Sequence, residues 1–423
     1  MSDISKVTEE HRPSLEPYEE LYKELHADPE LSFCESETAK KIAKHLSQHK
    51  PNGYEIKTDI GGHGLAAILK NGDGPTILLR ADTDALPVLE KTDLPYASKK
   101  RMKDADGFEQ PVMHACGHDM HITSLLCAAE TLFAARQKWS GTLVLIFQPA
   151  EEKGAGAQAM IDDGLYTKHG VPVPDVAIGA HVTPPPAGVV GTRVGLAASA
   201  ADTYKATLHG RGAHASQPHA SCDPVLMAAY ATTRLQTLVS RETNSLDAAV
   251  VTVASIQAGQ AENIIPAFAE MKIDMRSSTE KVRKNLNEGM KRIIRAECLA
   301  SNAPKEPDFE IMRNFPITWN TEAETLKFHE SMRLHFGDAY DDQLGPLGGS
   351  EDFSILGTAV NKPTIFWMYG GTDPQEYERL EKEDKMNELP INHSAFFAPV
   401  IQPTMKNGID GYVVGALTWL LKK

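Results

Sequence analysis

The sequence predicts an α/β protein, with one mostly parallel-sheet domain interrupted by a smaller two-layer α+β insert. Three observations predict it. Apolar runs of strand length alternate with helical stretches over the first half of the chain, the pattern of a parallel sheet covered by helices on both faces. Near residue 196 the order becomes strand, helix, strand, strand, helix, strand over about 110 residues, which fits a two-layer α+β unit. The first pattern then returns.

Taken in order, residues 14–48 read as helix, broken near Asp28-Pro29 and resumed from Glu35 to Ser47. Leu65 to Leu69 and Thr76 to Leu79 read as strands joined by the turn Asn71-Gly72-Asp73-Gly74. His118 to Gln137 is an amphipathic helix, Thr142 to Phe147 a continuous buried-type strand, Gly154 to Asp163 a helix and Val176 to Ile178 a short strand. In the insert, Thr203 to Leu208, Ala248 to Ile256, Glu270 to Asp274 and Asp308 to Met312 read as strands, with helices at Pro224 to Ser240 and Thr279 to Ala300. Helix 321–336, strand Thr364 to Met368 and helix 400–421 complete the chain. The expected division is 1–195 and 314–423 for the interrupted domain and 196–313 for the insert.

Composition narrows the field. A chain of 423 residues with 41% hydrophobic and 24% charged residues has material for real cores. A net charge of −14 argues against nucleic-acid binding through overall charge. No apolar run is long enough to span a membrane, and the amino-terminal residues lack the apolar core of a secretory signal. Five cysteines, odd in number and widely spaced, do not make a disulfide framework. These features lead to the expectation of a reduced, cytoplasmic protein.

Ionisable residues gather where the buried strands end. Thr76-Ile-Leu-Leu runs into Arg80-Ala-Asp82-Thr-Asp84, and Thr142 to Phe147 runs into Gln148-Pro-Ala-Glu151-Glu152. Asp175 to Ala180 delivers His181, His114-Ala-Cys116-Gly-His118-Asp119 stands at the start of a helix, and Asn392-His393-Ser394 precedes the last helix. Each has an ordinary reading alone: a solvated acidic pair, a core histidine, a turn aspartate, a buried thiol. In open α/β sheets, however, the ligand crevice lies outside the carboxyl ends of the strands, so these clusters converge. Imidazole, carboxylate and thiolate together suit two divalent ions, Mn²⁺ or Zn²⁺ with Co²⁺ and Ni²⁺ also compatible, rather than Mg²⁺ or Ca²⁺. Such a pair, ~3.5–4 Å apart, acidifies a bridging water and polarises a carbonyl. One of Glu151 and Glu152 would then ligate metal while the other serves as general base.

Met113 to Asp119, Gln148 to Glu152, Arg80 to Pro87 and Leu25-His-Ala-Asp-Pro-Glu-Leu-Ser32 together resemble the metal-dependent N-acyl-amino-acid amidohydrolases, within the aminoacylase/carboxypeptidase superfamily. Hippurate hydrolases and indole-acetyl-amino-acid hydrolases belong to that group. The resemblance runs from about residue 14 to 423. It implies a dinuclear-metal hydrolase domain with a lid or dimerisation insert. It implies Cys116, His118, Glu152, His181 and His393 as metal ligands, Glu151 as general base and Asp84 as a supporting acid. The wider superfamily has a histidine ligand where this chain has Asp82, whose role stays open.

In the insert, Gly210-Arg-Gly-Ala-His214-Ala-Ser-Gln-Pro218-His219 aligns His214 with a residue that polarises the scissile carbonyl or stabilises the oxyanion. Asn263 and Arg276 match positions that hold the substrate carboxylate. A bidentate guanidinium suits a carboxylate, though Arg276 also reads as a surface ion pair. The roles of His114, His219, Gly348 to Phe353 and Gly370-Gly371 stay open.

The expected reaction is hydrolysis of N-acyl-L-amino acids, with metal-bound hydroxide attacking the acyl carbonyl. The alternatives are a metallo-dipeptidase or carboxypeptidase of the same superfamily, a thiol amidase with Cys116 as nucleophile and His118 as base, and a catalytically silent metal-binding module. Expected partners are an N-acyl amino acid or dipeptide and, through the insert, a second copy of the chain.

Overall fold

The computed structural model describes residues 2–49, 53–104 and 107–422, which form two compact units. The first comprises 2–197, 319–346 and 352–422, and the second 198–318 and 347–351, among the described residues. The chain is mixed α/β with a large, mostly parallel sheet.

In the first unit an eight-stranded sheet runs in the order Glu55–Ile60, Gly64–Asn71, Gly141–Gln148, Thr76–Asp82, Val176–Pro186, Thr364–Thr372, Val190–Gly191, Tyr340–Asp341. The four strands from Gly141–Gln148 to Thr364–Thr372 are mutually parallel. Their inner stretches are apolar on both faces, as strands covered on both sides must be. The turn at residues 71–74 joins strands that do not pair, because Gly141–Gln148 lies between them. This insertion puts Asp82 directly opposite Gln148.

The Val176 strand is much longer than its apolar run suggests. It continues through His181 to Pro186, so His181 sits mid-strand rather than just past its end. Helices absent from the sequence reading occur at Asp3–His11 and Pro374–Lys382. The first is capped by Ser2, whose Oγ accepts from the Ser5 amide.

Two helices form the centre of the layer against this sheet. His118–Ala134 is buried almost all round, and Thr404–Leu420 packs on it and on the Thr76 and Val176 strands. The close approach needs small residues: a Cβ at Gly411 would lie 2.2 Å from Trp367 Cη2, and one at Gly408 would lie 2.5 Å from Ser124 Oγ. No helix among the described residues is long and apolar enough to cross a membrane.

The second unit is a four-stranded antiparallel sheet in the order Ala249–Ala258, Phe268–Ser277, Ala200–His209, Asp308–Phe315. Ala269, Met271, Ile273 and Met275 alternate onto one face with Ala206 and Leu208. There they meet Met227, Leu235, Leu286, Met290 and Ile294 of helices Pro224–Glu242 and Glu280–Ala300. Asp223 and Thr279 cap those helices by accepting the amides of Val225 and Val282.

Substituting Gly411→Ala should overpack the helix against Trp367 and cost about 1–3 kcal/mol, read as a lower urea midpoint at unchanged m.

Candidate metal centre

The geometry starts with a charge that cannot reach water. Arg80 lies inside an apolar strand and is fully buried. Its Nε donates to Gln148 Oε1 at 2.9 Å and its Nη1 to Asp82 Oδ2 at 2.8 Å, with Asp352 Oδ1 3.4 Å from Nη2. Gln148 Nε2 donates to the same Asp352 oxygen at 2.6 Å. Asp352, from the Gly348 to Phe353 motif, is thus part of a buried ionic network behind Asp82. Burial alone would raise the Asp82 carboxyl, but Arg80, His118 and His121 hold it well below the usual carboxylate range.

His121 is a residue the sequence reading passed over. Its Nε2 accepts the Val182 amide at 2.9 Å, so its proton resides on Nδ1, which donates to Asp82 Oδ1 at 2.5 Å. The signal was present: His118 and His121 are three apart on one helix, hence on one face. Asp119 faces elsewhere. Its Oδ2 lies 2.7 Å from His26 Nδ1, and His26 Nε2 lies 2.9 Å from Glu90 Oε1. Burial opposes protonation of His26, yet the two carboxylates raise its pKa to about 10, so it is an imidazolium bridging two acids.

Asp84 governs the Glu151-Glu152 turn. Its Oδ1 accepts the Glu151 amide at 3.1 Å, and its Oδ2 accepts the Glu152 amide at 3.0 Å and the Ser32 hydroxyl at 2.7 Å. Ala150, in the left-handed region at φ 49°, is held by its amide's bond to Glu35 Oε1 at 2.8 Å. Burial, then Asp84, raises the Glu35 carboxyl to about 8.

Around this turn the structure gathers the remaining candidates. Ligand atoms of Cys116, His118 and His181 lie within 4.8 Å of one another, as do those of Cys116, Glu152 and His393, and those of His118, Glu151 and Glu152. His181 Nδ1 donates to Val182 O at 2.7 Å, which turns Nε2 toward Cys116 Sγ, 3.4 Å away. Burial, then His121, holds the His181 ring well below its ordinary pKa, so it is neutral. His393 Nε2 stands 3.3 Å from Glu152 Oε2. His118 Nδ1 lies 3.3 Å from Asp84 Oδ1 but off-line for a hydrogen bond, and its Nε2 lies 3.8 Å from Glu152 Oε1. Burial is outweighed by Asp82, Asp84 and Glu152, and His118 is raised to about 10.

His114, which the sequence left open as a hydrogen-bonding residue, is buried with neither ring nitrogen bonded, and burial lowers it to about 4. In the second unit His214 pairs with Ile264 across a short antiparallel bridge, and the Ala215 amide donates to Asn263 O at 2.9 Å. His214 and Asn263 are therefore neighbours. Arg276 Nε donates to Asp274 at 2.8 Å and its Nη1 to Ser350 Oγ at 2.8 Å. His219 is exposed in the short turn Pro218–Ala220.

Residues 78–390 match the model of peptidase family M20/M25/M40. The chain belongs to this family. It is similar to the hippurate hydrolase of Campylobacter jejuni, 37% identical over 349 residues, covering 80% of this chain and 84% of that one. It is also similar to the N-acetylcysteine deacetylase of Bacillus subtilis, 34% identical over 393 residues, 91% of this chain and 97% of that one. Among solved structures, a dinuclear metal-binding M20 peptidase of Bacillus subtilis superposes with a TM-score of 0.72 at 27% identity, over 95% of this chain and 97% of that one. The M20 chain described here is accordingly a metal-dependent amidohydrolase.

Asp84→Ala would strand the buried Glu151 and Glu152 amides. A loss of about 1–3 kcal/mol per amide is expected in urea unfolding, within which Ser32→Ala should account for only a small part.

Proposed function

We propose that this M20 enzyme hydrolyses the amide bond of N-acyl-L-amino acids, releasing a carboxylic acid and a free amino acid. One observation carries the reading: Cys116, His118, Glu152, His181 and His393 converge beside a second carboxylate, Glu151. Those five would hold two divalent ions, Mn²⁺ or Zn²⁺ by the softness of the donor set.

The residues fit such ions. Both ring nitrogens of His118 and Glu152 Oε1 are buried with no hydrogen-bond partner among the described residues. Buried polar atoms left that way cost about 1–3 kcal/mol each, which coordination would recover. Burial, then Glu152, Glu151 and Asp82, pushes the Cys116 thiol well above its ordinary pKa. Added positive charge would be needed to make it a ligand thiolate. The same surroundings speak against a thiol amidase, whose nucleophile needs an electropositive site. When bound, the ions would supply an acidified water and a polarised acyl carbonyl.

The chain's own side chains do the rest. Glu151 takes the proton of the attacking water and passes it to the leaving nitrogen. Asp84 keeps both glutamates aimed by holding their amides. In the second unit, the amide of Ser216 lies 3.1 Å from His214 Nδ1, which must accept it; the neutral ring then carries its proton on Nε2. That N–H is the donor we assign to the developing oxyanion. Asn263 and Arg276 are assigned to the substrate carboxylate, with Asp274 and Ser350 fixing the guanidinium.

Glu151→Gln should lower kcat by roughly 10²–10⁴ while metal content, measured by elemental analysis, stays at the wild-type level. His214→Ala should lower kcat by about 10²–10³. A panel of N-acetyl, N-benzoyl and N-indoleacetyl amino acids against dipeptides, assayed with Mn²⁺, Zn²⁺ and Co²⁺ after chelation, tests the substrate class. Preference for dipeptides would replace this reading by a dipeptidase, and full activity after chelation would end it.

A further inference from the structure

Asn392 stands half-buried beside the cluster. Its Nδ2 lies 3.2 Å from Cys116 O, 3.2 Å from Val182 O and 3.8 Å from Cys116 Sγ. Two carbonyl oxygens face the amide, so its nitrogen must point inward and its oxygen outward. One hydrogen goes to Val182 O, and the other is shared between the carbonyl and the sulfur of Cys116.

We propose that Asn392 is the positioning residue of the metal centre: its carboxamide clamps the His393 loop onto the Cys116 loop and the His181 strand, and donates an N–H to the Cys116 sulfur. The proposal rests on the ligand assignment made above.

Three segments distant in sequence meet on this side chain. Val182 O, which receives Asn392, also receives His181 Nδ1 at 2.7 Å, so one carbonyl orients a ligand and anchors the clamp. On the other side the His393 amide donates to Ala115 O at 2.8 Å, tying the same loop to the residue before Cys116. His393 itself lies in the left-handed region at φ 72°, a conformation a non-glycine residue keeps only when its surroundings impose it. Its ring is 57% exposed, so packing does not hold it. The Asn392 carboxamide and the His393 amide tether its loop, beside the Lys91 amide's bond to Ala395 O at 2.8 Å.

The sulfur contact has its own consequence. An N–H directed at a thiolate withdraws charge from sulfur without protonating it, which lowers the energy of the electrons the sulfur gives to a metal. Hydrogen bonds of this kind to a ligand typically carry 10–100-fold in metal affinity. Aspartate at position 392 has the same shape but presents an oxygen to two carbonyls and a sulfur, so it reverses the interaction rather than merely deleting it.

The test is a Co²⁺ titration of the full-length apoprotein, read by the thiolate-to-cobalt charge-transfer band and by Kd, for wild type, Asn392→Asp, Asn392→Ala, Asn392→Ser and Cys116→Ser. The band should be present in wild type and lost in Cys116→Ser. Asn392→Asp and Asn392→Ala should bind Co²⁺ about 10–100-fold more weakly, with the band moved to longer wavelength because sulfur has lost its donor. Asn392→Ser, which keeps a short hydroxyl donor, should fall between Ala and wild type. Wild-type Kd and an unmoved band in both Asp and Ala variants would overturn the proposal while leaving the ligand assignment standing. A wild-type protein that takes up Co²⁺ without the band would instead overturn the assignment of Cys116, and the clamp with it.

Discussion

Buried negative charge is the constraint from which the first unit is built. Asp82, Asp84, Glu151 and Glu152 are all buried at one edge of the sheet, around a single helix N-terminus. Carboxylates avoid such places unless something answers their charge. Arg80 and His121 answer Asp82, and the Ser32 hydroxyl with two backbone amides answers Asp84. Glu152 Oε1 and the His118 ring are left without a hydrogen bond. The fold thus places Arg80, a buried cation, on the far side of the cluster and leaves hydrogen-bonding atoms of His118 and Glu152 unpartnered on the near side. Incompleteness of that kind is what a cation-binding enzyme keeps in reserve.

The second requirement is aim. His181 is oriented from behind by Val182 O, and the Glu151-Glu152 turn by Asp84. Local backbone supports this where side chains alone could not. Gly117, at φ 82°, starts the His118 helix, and a Cβ there would fall 2.4 Å from Val182 Cγ1. The Cys116 loop and the His181 strand therefore touch through a residue without a side chain, and that proximity is what lets Cys116 and His181 face one another.

Much of this was legible in the sequence because burial and charge rarely coexist by accident. Apolar runs such as Thr142 to Phe147 marked the central strands, and the ionisable residues at their ends marked the cluster. What escaped did so for identifiable reasons. Pro184-Pro185-Pro186 looks like a strand terminator, yet Thr364–Thr372 pairs alongside as far as Pro186. Helix Asp3–His11 buries Val7 with Ser5 and Thr8, too little apolar surface to stand out. Helix Pro374–Lys382 buries only Leu380. Arg80 held a clue that periodicity does not weigh: an arginine inside a buried strand demands acids, and beside Asp82 it meets Asp352 from 272 residues away. The backbone bridge that makes His214 and Asn263 neighbours could not be read from the pattern.

The central helix Thr404–Leu420 has a consequence for how the chain comes into being. Tyr412 donates its hydroxyl to Arg80 O, 332 residues upstream, at 2.8 Å. A ribosome therefore releases the acidic sheet edge long before the helix that packs behind it, with the whole second unit made in between. That unit is nearly contiguous in sequence and pairs its four strands within residues 200–315, so all its strands are made before the last helix. The split half must wait, its apolar sheet face bare, and nascent-chain chaperones would find their longest task there rather than in the insert.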